Sequence, residues 1–168
     1  MDFELDPPRG VGPLRVGMTR AQANAAVEAL RDADAVSESD IPGRHIFRPS
    51  GLMISIGCMN DRLQAVEFGR PSTDADTVRF QGVDLFNLPA RDVVDRLREQ
   101  TLIEPAQDDP ASFVAPELLL SLWRPFEADY EPNEEQGFFF SSVLLAAPGY
   151  YDTPAQAAER ARMSGDLS

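Results

Sequence analysis

Few side chains in this 168-residue chain could do chemistry, and their scarcity is informative. There is one histidine, His45, and one cysteine, Cys58; all fifteen basic residues are arginine, and lysine is absent. Without lysine there is no Schiff-base nucleophile and no P-loop lysine for a nucleotide phosphate. One Cys and one His cannot build a zinc finger or a disulfide framework. His45 and Cys58 could form a base–nucleophile dyad, but no nucleophile elbow or cysteine-centred signature surrounds either. Cys58 shares an alternating apolar face with Leu52, Ile54 and Ile56, which predicts a core thiol instead. The pairs Asp32/Asp34 and Asp74/Asp76 have carboxylates at a cation-binding spacing but lack the glycine and distal glutamate of an EF-hand loop. They are expected to cap helices or solvate linkers. Gly10-Val11-Gly12 lacks the third glycine of a dinucleotide fingerprint and reads as a turn. No catalytic residue, metal or cofactor is therefore expected.

The remaining candidate for function is a loop. Pro125 to Gln136 carries five carboxylates, two aromatic residues and no basic residue. Phe126, Glu127, Asp129, Tyr130, Glu131, Glu134 and Glu135, with Trp123 on the strand before them, have the composition of aromatic anchors inside a charged rim. Such a surface would suit a basic protein partner. The same residues also fit a solvated loop, and Trp123 could instead pack beneath a helix.

The elements that must position this loop are read from periodicity. Thr19-Arg20-Ala21-Gln22 is a capping box, and Ala23, Ala26, Val27 and Leu30 form one stripe of a helix over about 20–32. The acidic segment 32–43 reads as turn-rich. Leu52 to Met59 alternates as a strand, Asn60-Asp61 suits a tight turn, and Leu63 to Phe68 returns. Ala90, Val93, Val94 and Leu97 repeat the helical stripe 67 positions later, and Leu118, Leu120 and Leu122 repeat a strand face 66 positions later. Phe138 to Ala146 is the second returning strand, and Val78 to Phe80 a short one after the linker 71–76. Residues 1–13 read as an arm or edge strand. Thr153-Pro154-Ala155-Gln156 opens a short helical tail over 152–168. The expectation is a single α+β domain over 1–168, an antiparallel sheet with helices packed on one face. Its two tandem helix–strand–strand halves cover about 11–70 and 76–150.

Net charge is −13, so contact with a phosphate backbone is disfavoured. An acidic start, with no apolar run of spanning length, predicts a cytoplasmic protein that does not enter membranes. The run Gly12-Pro13-Leu14-Arg15-Val16-Gly17-Met18-Thr19-Arg20-Ala21-Gln22 resembles the opening of the small outer-membrane lipoprotein (BamE/SmpA) group and of beta-lactamase-inhibitor-like folds. The tandem helix–strand–strand order is similar to that of the inhibitor family, although the lipobox cysteine and the paired cysteines are missing. Residues 82–94 loosely resemble small actinobacterial proteins, some from toxin–immunity contexts. The resemblance implies a scaffold that binds protein partners. The leading expectation is a non-enzymatic inhibitor or immunity-type protein that neutralises a basic toxin or enzyme by occluding its active site. The alternative is a small-molecule-binding or enzymatic domain with a cavity between sheet and helices, lined by His45 and convergent carboxylates.

Overall fold

The computed structural model describes residues 1–32, 35–150 and 162. The first half forms β1 (Asp2–Asp6), β2 (Gly10–Val11), β3 (Leu14–Arg15), α1 (Arg20–Glu28), β4 (Val36–Glu38), β5 (Arg44–Phe47), β6 (Met53–Met59) and β7 (Arg62–Gly69). The second half forms β8 (Thr77–Phe80), β9 (Val83–Asp84), α2 (Ala90–Arg98), β10 (Glu104–Ala106), β11 (Asp109–Ala115), β12 (Leu120–Trp123), α3 (Glu135–Phe138) and β13 (Ser142–Ala146). The tail 152–168 and its capping box lie outside the described residues apart from residue 162, as does Asp34.

This is a mostly β molecule, which corrects the expected α+β fold with helices covering one sheet face. Among the described residues two sheets form, a five-stranded one in the order β3-β2-β1-β8-β9 and an eight-stranded antiparallel one in the order β10-β11-β12-β13-β7-β6-β5-β4. The reason is coverage. Helices α1 and α2 have nine residues each, about 13 Å of length, whereas eight strands side by side span roughly 34 Å. Two short helices cannot bury that face. The small sheet supplies much of the second layer: the Phe3 ring of β1 lies 5.9 Å from both Phe47 of β5 and Phe68 of β7. β1 is accordingly the central strand of its sheet, paired with β2 and with β8 in parallel, and not an arm or edge.

Local sequence still explains the pieces. In α1, the Gln22 backbone N–H donates to the Thr19 hydroxyl at 3.1 Å and the Thr19 N–H donates to the Gln22 side chain at 2.9 Å. All four stripe residues of α2 are buried. Asn60 and Asp61 both hold positive φ and join Met59 to Arg62 as a two-residue hairpin turn, the geometry that matches strand twist. On the large sheet, Ile54, Phe68, Val143 and Leu122 lie opposite one another in sequence across four strands and form one buried row. β4–β6 and β10–β12 flank the β7–β13 pair, in which Ala65 faces Ala146 and Gly69 faces Ser142.

One linker acid is the exception to solvation. Asp76 is fully buried. It accepts hydrogen bonds from Arg31, from the Ser50 hydroxyl at 2.5 Å and from the Met1 amino group at 3.2 Å. It thereby ties the end of α1, the β5–β6 turn and the start of β1 to the strand that follows it. Replacing one partner of a buried pair leaves the other charge uncompensated, so Asp76→Ala is expected to lower unfolding free energy by about 3–5 kcal/mol. Urea denaturation followed by circular dichroism checks this; a loss well under 1 kcal/mol would contradict it.

Candidate functional site

Alternation along β12 places Leu120 and Leu122 on the inner face, and the next inward position is Arg124, only 2% exposed. A guanidinium there must find acceptors. Its Nε donates to the Ala111 carbonyl at 2.7 Å, and its Nη1 donates to the Gly137 carbonyl at 2.7 Å and to the Asp129 carboxylate at 2.6 Å. Its own backbone N–H donates to the Ser112 hydroxyl at 3.2 Å. The fork therefore ties β11 to both ends of the acidic segment.

Two further arginines brace the same segment. Arg91 of α2 donates to the Asp129 carbonyl and stacks 5.0 Å from the Tyr130 ring centroid and 5.8 Å from that of Phe138. Arg70, just past β7, sits 4.2 Å over Phe139, donates to the Phe86 carbonyl at 3.1 Å and lies 3.7 Å from Glu135. Inside the segment, backbone bonds run from Ala128 N–H to the Gly137 carbonyl at 3.0 Å and from Glu131 N–H to Ala128 at 3.1 Å. A Cβ at Gly137 would meet the Phe126 ring at 2.4 Å, so any other residue there must push that exposed ring aside. The long loop is thus an ordered structure with four exposed carboxylates, Glu127, Glu131, Glu134 and Glu135, on its outside.

Of the eight predicted contact residues, Asp129 alone turns inward; Tyr130 is 88% exposed, Phe126 41% and Trp123 46%. Trp123 does not pack beneath a helix. It projects from the outer face of the large sheet, opposite Ser142, whereas Tyr130 lies beside α2. Among the described residues no ring contact joins Trp123 to Phe126 or Tyr130. The residues that organise the segment, Arg124, Arg91 and Arg70, were missed by sequence reasoning. Continuing the period of two past Leu122 would have found Arg124 as an inward charge.

The electrostatics divide the carboxylates. Burial alone would raise the Asp129 carboxyl, but hydrogen bonds from Arg124 and Glu127 and the charges of Arg124 and Arg91 overcome it and hold it below its ordinary value. The hydrogen bond to Asp129 raises Glu127, and the repulsion between their charges adds to this.

Elsewhere, His45 and Cys58 are not brought together, as expected of a pair with no catalytic signature in the sequence. His45 faces Ile54, while Cys58 sits four residues further along β6 opposite Leu63, roughly 13 Å away along the strand. Among the described residues no group of three His, Cys, Asp or Glu side chains could hold a metal ion. No family model, curated protein or solved structure matches this chain.

The signs of these shifts make a test. The depressed Asp129 adds stability above its unfolded value, about 3.9, and that stability is lost as pH falls through its lower folded value. The raised Glu127 acts oppositely, adding stability only below its unfolded value, about 4.3, and losing it as pH rises through the folded value. At pH 7 Asp129→Asn is expected to cost about 2 kcal/mol, while Glu127→Gln is neutral or stabilising. The Asp129→Asn deficit should shrink as the pH falls below that of the unfolded aspartate. Melting curves at several pH values check both; equal effects of the two variants at pH 7 would contradict the assignment.

Proposed function

We propose that this protein is a non-enzymatic, protein-binding inhibitor of the immunity type, which neutralises a basic toxin or enzyme by covering its active site with segment 125–136. The observation that carries the reading is the internal bracing of that segment. Three guanidinium groups take up its inner side, so that Tyr130, Phe126 and the outer carboxylates are presented without a partner to order them. Preordering removes most of the entropy that a flexible loop would lose on binding. A segment with five carboxylates in a chain of net charge −13 steers a basic partner in and disfavours acidic ones. Glu131 and Glu134 make no ion pair among the described residues and are available for this. Exposed Tyr and Trp side chains are frequent anchors of protein interfaces. The same charge argues against nucleic acid as the partner, and the reading places the protein in the cytoplasm. Among the described residues no helix is long and apolar enough to cross a membrane.

The partner is sought by capture from native extract, and the complex is then measured by stopped-flow association at several salt concentrations. The double variant Glu131→Gln, Glu134→Gln should slow association by about tenfold and flatten its salt dependence. Tyr130→Ala should speed dissociation by about 30-fold, equivalent to about 2 kcal/mol. Gly137→Ala, which displaces Phe126 without altering charge, should weaken affinity while leaving the salt dependence intact. Full affinity in all three variants would refute the reading.

A further inference from the structure

The outer face of the large sheet carries a feature that the acidic segment does not use. Ser55 of β6, Glu67 of β7, Leu144 of β13, Ser121 of β12 and Val114 of β11 are cross-strand neighbours in turn. They alternate with the buried row of Ile54, Phe68, Val143 and Leu122, so they form one outward row, about 19 Å across five strands. Two hollows lie along it. One, of about 200 Å³, is bordered by Gly57, Ala65, Leu144 and Tyr150 among others. The second, of about 300 Å³, is lined by Val114, Pro116, Leu119 and Leu120, and Ser121 is its one polar side chain. They adjoin where Leu144 faces Ser121. The row holds a single charge, Glu67, in a chain with 28 acidic residues. An apolar furrow of this length calls for an occupant.

The chain itself leads onto this furrow. Past β13, the Tyr150 N–H donates to the Ala147 carbonyl at 3.1 Å, with Gly149 at φ +91°. That turn brings Tyr150 back beside Glu67 and Leu144. Residues 151–168 follow, and their sequence has the form of a helix with one small apolar face. Thr153 and Gln156 make a capping box, and Pro154, Ala157, Ala158 and Ala161 recur at i, i+3, i+4 and i+7. Gly165 supplies a stop. From Pro154 to Ser164 such a helix is about 16 Å long, close to the span of the row. A helix this short is marginal in water by itself and needs a surface to pack on.

We propose that segment 151–168 is a strap across this face, with its alanine stripe on the row from Ser55 to Val114 and Leu167 in the hollow beside Leu119. Alanine side chains let a helix come close to a surface built from Gly57, Ala65 and Ser55. Leu167, the one leucine of the segment, lies just past the stop, where the strap would reach the larger hollow. The occupant is this chain's own tail because Tyr150 already enters the furrow and the length that follows fits it. A second copy would have to displace Tyr150 first.

NMR spectra of the full chain with ¹³C-labelled Ala, Leu and Val methyl groups test this. Nuclear Overhauser contacts from Ala158 and Ala161 to Leu144, and from Leu167 to Leu119, are expected. Amide exchange over 158–164 should be slowed at least about tenfold against an unprotected chain. Ala161→Glu sets a carboxylate into the contact and should abolish both the contacts and the protection. Met163→Glu adds the same charge on the opposite side of the helix and should change neither. Glutamate is nearly as good a helix former as alanine, so a loss confined to Ala161→Glu reports docking and not helix propensity. Absence of the contacts in the unsubstituted chain, or contacts found only between differently labelled copies, would overturn the proposal. So would their survival in Ala161→Glu, or equal loss in the two variants. None of those outcomes bears on the acidic segment.

Discussion

Where β12 leaves the sheet, the strand's own alternation points Arg124 into the interior, and everything outside that point is arranged around satisfying it. A buried guanidinium is stable only with acceptors matched to its planar fork. The Ala111 carbonyl, the Asp129 carboxylate and the Gly137 carbonyl provide them. Because Asp129 and Gly137 come from the two sides of the acidic segment, meeting this requirement also folds the segment back on itself. Arg91 and Arg70 extend the same logic to α2 and to the end of β7.

The missing lysine and the acidity thus belong to one account. With every side-chain cation a guanidinium, internal bracing can be done by planar, multidentate contacts at small volume. Arg31 does for the linker what Arg124 does for the loop, meeting the buried Asp76. These arginines turn inward and sideways, and of the outward carboxylates Glu131 and Glu134 make no ion pair among the described residues. An excess of negative charge in the whole chain becomes a localised negative surface on an ordered support.

Much of this scaffold was legible in the sequence because apolar periodicity is a local signal. The stripe of α2 and the Asn60-Asp61 turn fall where the pattern puts them, whereas α1 ends at Glu28, Leu118 sits in the turn before β12, and a register shift after Gly57 leaves Cys58 half-buried instead of in the core. The large share of strand was not legible. β4 lies within acidic residues read as turn, β5 turns a histidine inward beside Phe47, and β11 is built from Asp, Pro, Ala and Ser with a single Phe and a single Val. Their pairing depends on neighbours far along the chain, which no short window contains. Asp76 illustrates the same limit: in a linker of Pro, Ser, Thr and Asp it reads as solvated. Its burial is decided by Arg31 and Ser50, which are distant in sequence. The loop was recognisable as unusual by its composition, but its order was not, because the residues that impose it are spread across β7, α2 and β12.

The central claim is that the acidic segment is ordered in the free protein. Backbone ¹⁵N relaxation of residues 126–136, recorded without any partner, tests it most directly. Order parameters near those of the central strands, about 0.85, are predicted. Values below about 0.6 across the segment would show a mobile loop and contradict the account.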